Sequence, residues 1–325
     1  MAACYSTIAA CVPYLTLKAL WLAGDPVGAA DAAGAAQLVD TRHVVGDAVT
    51  AGMELVAVVL VVALTHRWGR RLPAWLVLAP IWVGTGLLAP IAVGVPLGLL
   101  AQAFAGGSPA PLGNGSQGWL YVVADGGFIV QAVGLSICFL GYVHDRWPRL
   151  SSMRITHLPA AGRRERRVAA GAAVVAAGFA ATTVGWAVTD GPGWGGPAGF
   201  ETVTQRAFLL VNGVLVLGAA IGVPALLGRR GTGRLVAPLA VVWVGTSVTV
   251  LSGPTHVAVS HQGQPGPVLV AAASLATASG LILTALAARC VRASRSQAPP
   301  NDDVDRGPVI HRLRSQQRTE QGDQA

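Results

Sequence analysis

The chain has 325 residues, 53% hydrophobic and only 12% charged, with a mean hydropathy of +0.55. Soluble globular domains carry about 25% charged residues, so this composition excludes an ordinary soluble enzyme, a disordered chain and a disulfide-stapled secreted module, and it points to the bilayer. The formal charge of +8 rests on 22 Arg and a single Lys, set in short blocks between apolar stretches as topogenic charge is, with no polar domain on which to form a nucleic-acid-binding patch.

Apolar runs near 20 residues, long enough to cross ~30 Å of hydrocarbon, occur at 7–24, 48–65, 74–95, 119–143, 168–188, 207–227, 236–252 and 268–288. The connections after the second, fourth and sixth runs carry Arg67, Arg70 and Arg71, then seven Arg from Arg146 to Arg167, then Arg229, Arg230 and Arg234. The segment after the eighth run adds seven more, whereas the remaining connections hold only Arg42 and Arg206. This alternation predicts an all-α bundle of eight transmembrane helices with both termini cytoplasmic, in a bacterial inner membrane. The preference for Arg over Lys, with abundant Ala, Gly and Val, fits a high-GC bacterial genome.

Trp21, Trp119 and Trp186 fall at the expected outer interface, and Trp68, Trp75, Tyr142 and Trp147 at the inner one. Trp82 and Trp243 lie mid-span and read as packing residues. Cys4, Cys11, Cys138 and Cys290 are scattered, without a disulfide framework or a CxxC pair. No basic segment or apolar run precedes Cys4, so neither a lipoprotein signal nor a cleaved leader is expected.

The outer connections, 25–47, 105–118, 189–206 and 253–267, are rich in Gly, Pro, Ala and Ser and read as irregular. The sequon at Asn114 carries no weight in a bacterial protein. The segment 291–325 combines Pro299-Pro300, Asp302, Asp303 and Asp305 with many Arg and Gln. It is expected to be a disordered cytoplasmic tail whose arginines meet anionic lipid headgroups.

Two short motifs recur in order. Trp21-Leu-Ala-Gly-Asp25 is echoed by Trp186-Ala-Val-Thr-Asp190, and Trp82-Val-Gly-Thr85 by Trp243-Val-Gly-Thr246. They suggest a four-plus-four tandem repeat whose halves share one orientation. The expected organisation is a four-helix repeat at 1–144, an Arg-rich cytoplasmic loop at 145–167, a second repeat at 168–290 and the tail at 291–325.

Ionisable groups inside spans are costly and point to function. There are three, Lys18, Glu54 and Asp125, each six residues from the outer end of its run and so about 9 Å deep; Asn212 lies at nearly the same level. Lys18 bridging Glu54 and Asp125 would form a polar cluster able to hold a cation or a proton. The alternative is that Lys18 snorkels and the three point apart.

All seven histidines fall in predicted loops or the tail, which argues against a haem-bearing bundle. His43, His256 and His261 face outside but lack metal-ligand spacing. No nucleophile elbow or Walker loop occurs. Ser136, Ser247, Ser274 and Ser279 read as packing hydroxyls, and Gly171, Gly178, Gly185, Gly218 and Gly222 as helix-contact residues.

The segments Val12-Pro13-Tyr14-Leu15 through Trp21-Leu22, Trp68-Gly-Arg-Arg-Leu-Pro-Ala-Trp75, Gly86-Leu-Leu-Ala-Pro90 and Gly126-Gly-Phe-Ile-Val-Gln131 resemble a group of multi-pass membrane proteins of actinobacteria without an established activity. The likeness is clearest over the first 150 residues and implies a membrane location and topology only. The sequence thus predicts a non-catalytic membrane protein without cofactor or metal. Its leading role is transport or permeation of a small solute or ion. The alternative is a subunit or sensor that docks a protein partner or anionic lipid at its cytoplasmic face. The oligomeric state is left open.

Overall fold

The computed structural model describes residues 1–108, 115–189, 192–259 and 265–296. Asn114, His261, His311 and the segment from 297 onward lie outside the described residues. Among the described residues there are nine α-helices and no strand: α1 (Ala2–Leu22), α2 (Ala32–Leu38), α3 (Thr41–Thr65), α4 (Ala74–Ala105), α5 (Gly118–Arg146), α6 (Arg163–Val188), α7 (Val203–Leu227), α8 (Val236–Val259) and α9 (Pro267–Ser296). All but α2 are long and apolar enough to cross a membrane. The chain is therefore an all-α polytopic bundle with eight membrane-spanning helices.

The helices outrun the apolar runs, mostly at ends that carry polar residues. α3 starts at Thr41 and not at 48, α4 continues from 95 to Ala105, and α8 passes through Gly253 and Pro254 to Val259. A helix does not stop where hydrocarbon stops; its backbone stays hydrogen-bonded into the headgroup layer, and prolines are tolerated within it. Gly253 lets α8 press against the backbone of Ala273 in α9. The first outer connection is likewise not wholly irregular, for Asp31 caps α2 through the Gly34 amide and Asp40 caps α3 through the His43 amide. Gly34 fits tightly against Gly115, which adopts φ +72°, and no larger residue could stand at either position.

Large apolar side chains face outward along the spans: Val122 is 74%, Val174 72% and Ile221 68% exposed. The interior mixes leucine and valine with alanine, glycine and small polar residues, which allow the close van der Waals contact that must hold helices together where lipid removes the hydrophobic drive. α4 is central because Gly86, Pro90, Gly94 and Gly98 recur every four residues on one stripe. Gly86 meets the backbone of Ser247 in α8, while Gly94 and Gly98 meet Phe208 and Thr204 in α7. Gly218 and Gly222 do face α8, through Val241 and Val242. Gly171, Gly178 and Gly185 behave otherwise: nothing lies near them, and their stripe is on the outside of α6.

Each half makes the same pairings. In the first, α1 packs on α3 and α5, and α4 on α5; in the second, α6 packs on α7 and α9, and α8 on α9. The halves meet where α4 crosses α8, and there the recurrent Trp-Val-Gly-Thr motifs contact one another reciprocally. Trp82 Nε1 donates to Thr246 Oγ1 at 3.4 Å, and Trp243 Nε1 donates to Thr85 Oγ1 at 3.2 Å. A two-fold related pair produces this exchange, residue i to j′ and j′ to i. The symmetry is incomplete, because α7 packs extensively on α4 whereas α3 has no comparable contact with α8.

The connection expected at 145–167 is shorter and more ordered. α5 extends through Arg146 and α6 begins at Arg163. Between them Ile155 and Leu158 are buried against the second half. The Ile155 amide donates to the Gly233 carbonyl at 3.2 Å, and the Leu235 amide donates to Met153 O at 2.8 Å.

Candidate functional site

α1 and α3 run antiparallel, and every seventh residue of one meets every seventh residue of the other. Lys18 faces Asp47, Cys11 faces Glu54, and Cys4 faces Val61. A 3.5-residue repeat keeps such a seam aligned along two right-handed helices in left-handed supercoil geometry, and the three rungs stand about 10 Å apart at 1.5 Å per residue. Pro13 lies on the exposed side of α1 and leaves the seam undisturbed.

At the first rung, Lys18 Nζ lies 2.6 Å from Asp47 Oδ1, and both residues are buried. The ammonium also stands 4.7 Å from the ring centroids of Tyr14 and of Trp21, which cover it by cation–π contact. Trp21 is itself held by its indole N–H, which donates to Val27 O at 2.8 Å. Asp47 Oδ2 is buried without a hydrogen-bond partner.

At the second rung, Glu54 is 5% exposed and faces the Cys11 thiol and the Gln131 amide of α5, with Lys18 in electrostatic reach. Glu54 Oε2 and Gln131 Nε2 are both buried and outside hydrogen-bonding geometry. α5 approaches through Gly127, against the Ala10 carbonyl, and Gly134, against Thr7. At the third rung Cys4, near Cys138 of α5, accepts from the Thr65 hydroxyl at 3.5 Å. Polar groups thus run almost the length of the α1–α3–α5 interface, toward the end where the Arg-rich connections lie.

The expected bridge of Lys18 to Glu54 and Asp125 is therefore half corrected. The lysine is committed to Asp47, a residue placed by composition in a loop. Asp125 does not join the group: two residues from Gly127, it sits roughly 160° around α5 from the stripe that faces α1. It is half-buried and has no hydrogen bond or ion pair among the described residues. Asn212 belongs to the other half, where its Oδ1 accepts from Ser252 Oγ at 2.6 Å.

That half contains a second constellation. His256, read from composition as an outer-loop residue, lies inside α8 and is completely buried. Phe179, Trp186 and Phe200 surround its ring with centroids at 6.2, 6.4 and 6.0 Å, and neither ring nitrogen has a hydrogen-bond partner. The apolar run closes at Ser252, and the Gly- and Pro-containing stretch after it reads as an outer loop, whereas α8 continues through it to Val259. The argument against haem from histidine position fails with it. Tyr14 and Trp21 in α1, like Phe179 and Trp186 in α6, are seven residues apart, and each pair brackets a nitrogen base, Lys18 in one half and His256 in the other. Trp186 repeats the anchoring of Trp21 by donating to Trp194 O at 3.3 Å.

The serines read as packing hydroxyls behave accordingly where bonds are seen: Ser247, Ser274 and Ser279 donate to carbonyls of their own helices. Among the described residues no group of three or more His, Cys, Asp or Glu could hold a metal ion. No protein-family model, curated protein or solved structure matches the chain.

Proposed function

We propose that the chain moves a small solute or ion across the bacterial cytoplasmic membrane along the α1–α3–α5 polar seam, with both termini cytoplasmic and two related four-helix halves. One observation carries this reading. Asp47 Oδ2, Glu54 Oε2 and Gln131 Nε2, on two consecutive rungs, are buried and unpartnered. Buried polar groups in stable structures are hydrogen-bonded almost without exception, and in hydrocarbon their cost is several kcal/mol. Unpaired atoms also occur elsewhere, at Gln102, Thr204 and His256, but the seam aligns three of them on consecutive rungs, which suits a path for a polar passenger. The absence of any nucleophile or metal motif from the sequence supports a non-catalytic role.

The test is reconstitution into liposomes, with flux of protons, alkali cations, chloride and small neutral solutes followed in parallel. At least one species should move faster than in protein-free vesicles, and Glu54→Gln should slow it. Equality of wild-type and empty vesicles for every species would overturn the reading.

A second reading, docking of anionic lipid at the cytoplasmic face, is favoured by one feature. Arg163, Arg166 and Arg167, spaced to share one face of α6, line with Ala170 a hollow of about 380 Å³.

A further inference from the structure

Resting on the transport reading, we propose that the passenger is the proton and that Glu54, which faces Gln131 and Cys11 at the second rung, is the group that takes it up and releases it. Packing is the first argument. Cys11 is 0%, Gln131 2% and Glu54 5% exposed, so the second rung is closed by side chains and is not a water-filled pore. A dehydrated metal ion would need its shell replaced by oxygen ligands. The rung offers one carboxylate and one amide oxygen; its other groups are a thiol, an amide NH2 and, one rung away, an ammonium. The amide NH2 and the ammonium are donors, suited to a carboxyl group and not to a metal ion, and the thiol proton is given to the Thr7 carbonyl at 3.2 Å.

Charge gives the second argument. Lys18 is paired with Asp47 at 2.6 Å, and the two cancel. With Glu54 as the neutral acid the whole seam is uncharged. With Glu54 ionised it carries one negative charge, opposite Cys11 and Gln131 and within reach of Lys18. Loading and release then need no redox partner. The carboxyl O–H bond breaks as the proton passes to a water molecule, leaving carboxylate and hydronium, and it forms again from hydronium arriving on the other side. The open Asp47 Oδ2 lies on one side of Glu54, with Thr7, Cys4 and Thr65 on the other. The rungs stand about 10 Å apart, so the proton crosses each interval on water admitted transiently between them.

The experiment uses the full chain in liposomes containing a pH-sensitive dye, with valinomycin and potassium to clamp the voltage, after a step in external pH. Wild type should acidify the lumen at least tenfold faster than protein-free vesicles. Glu54→Gln should fall to the protein-free rate, and Asp125→Asn, whose carboxyl is off the seam, should keep the wild-type rate. Should Glu54→Gln fail to fold, a carbodiimide that modifies protonated carboxyls in apolar surroundings tests the wild-type chain. It should stop the flux with its adduct on Glu54 by mass spectrometry. Proton flux at the wild-type rate in Glu54→Gln, an inhibitory adduct on Asp125 alone, or sodium or potassium flux lost in Glu54→Gln would each overturn the inference while leaving transport standing. Vesicles that move nothing would overturn both.

Discussion

Lys18 and Asp47 form a 2.6 Å ion pair within the bundle, one rung above Glu54 and covered by two aromatic rings. Desolvating two charges is costly, and their attraction repays that cost only while both are present. Lys18→Ala or Asp47→Ala alone should therefore lower stability by about 3–5 kcal/mol, whereas Lys18→Met combined with Asp47→Leu should unfold at or above wild type. Melting of the purified variants in detergent checks this. Equal melting of Lys18→Ala and wild type would mean that the lysine reaches the lipid surface instead.

The reciprocal Trp–Thr contacts predict matched effects in the two halves. Trp82→Phe and Trp243→Phe should each cost about 0.6 kcal/mol, the typical worth of a hydrogen bond inside a membrane protein, and truncation to Ala about 3–5 kcal/mol. A double-mutant cycle between Trp82→Phe and Thr246→Val should show coupling. Strict additivity would remove that bond from the account.

Glycine substitutions should sort by what a methyl group meets. At Gly134 it collides with Thr7, and at Gly245 with the Ala219 backbone, so each Ala variant should lose about 1–3 kcal/mol. Gly84 and Gly171 face open space, and Ala there should be neutral or slightly stabilising because glycine is the poorer helix former. The ranking can be read from unfolding temperatures of the four variants.

His256 offers an unusual sign. Two buried, unpartnered ring nitrogens are a liability of about 1–3 kcal/mol, so His256→Phe should leave stability unchanged or raised, while His256→Ala should cost about 3 kcal/mol through the cavity. Loss of stability in the Phe variant would reveal a partner for the imidazole.

Orientation is testable without removing native thiols, since all four cysteines are buried. In intact cells an impermeant maleimide should label Gly193→Cys directly and Arg164→Cys only after permeabilisation. The opposite pattern would invert the proposed topology.

Eight helices were legible because hydrocarbon thickness imposes a length on each apolar run and Arg counts alternate across them. The ends were not, because polar residues such as Asp47 and His256 continue a helix that composition closes early. This is why the true partner of Lys18 was missed. A heptad register could have found it, since Cys4, Cys11 and Lys18 repeat every seven residues, as do Asp47, Glu54 and Val61. Depth alone grouped Asp125 with Lys18 and Glu54; helical angle separates them.

The clasp on the 147–162 connection limits how the two halves can move. Arg146 is tied to the first half by donating to the Leu72 carbonyl and the Tyr142 hydroxyl, and Met153 to the second through Leu235. The residues between these ties are themselves wound into a 3-10 turn at Pro148–Ser151, with Trp147 packed on the first half and Leu150 on the second, so the crossing carries little slack. No other stretch of chain joins the halves, but at the opposite end Arg42 of α3 donates to the Ala258 carbonyl of α8 at 3.3 Å and Gly98 of α4 presses on Thr204 of α7. The two halves are thus braced near both ends of the bundle, and displacing one against the other has to break contacts at one end or the other, so that the fold behaves as a riveted pair of plates.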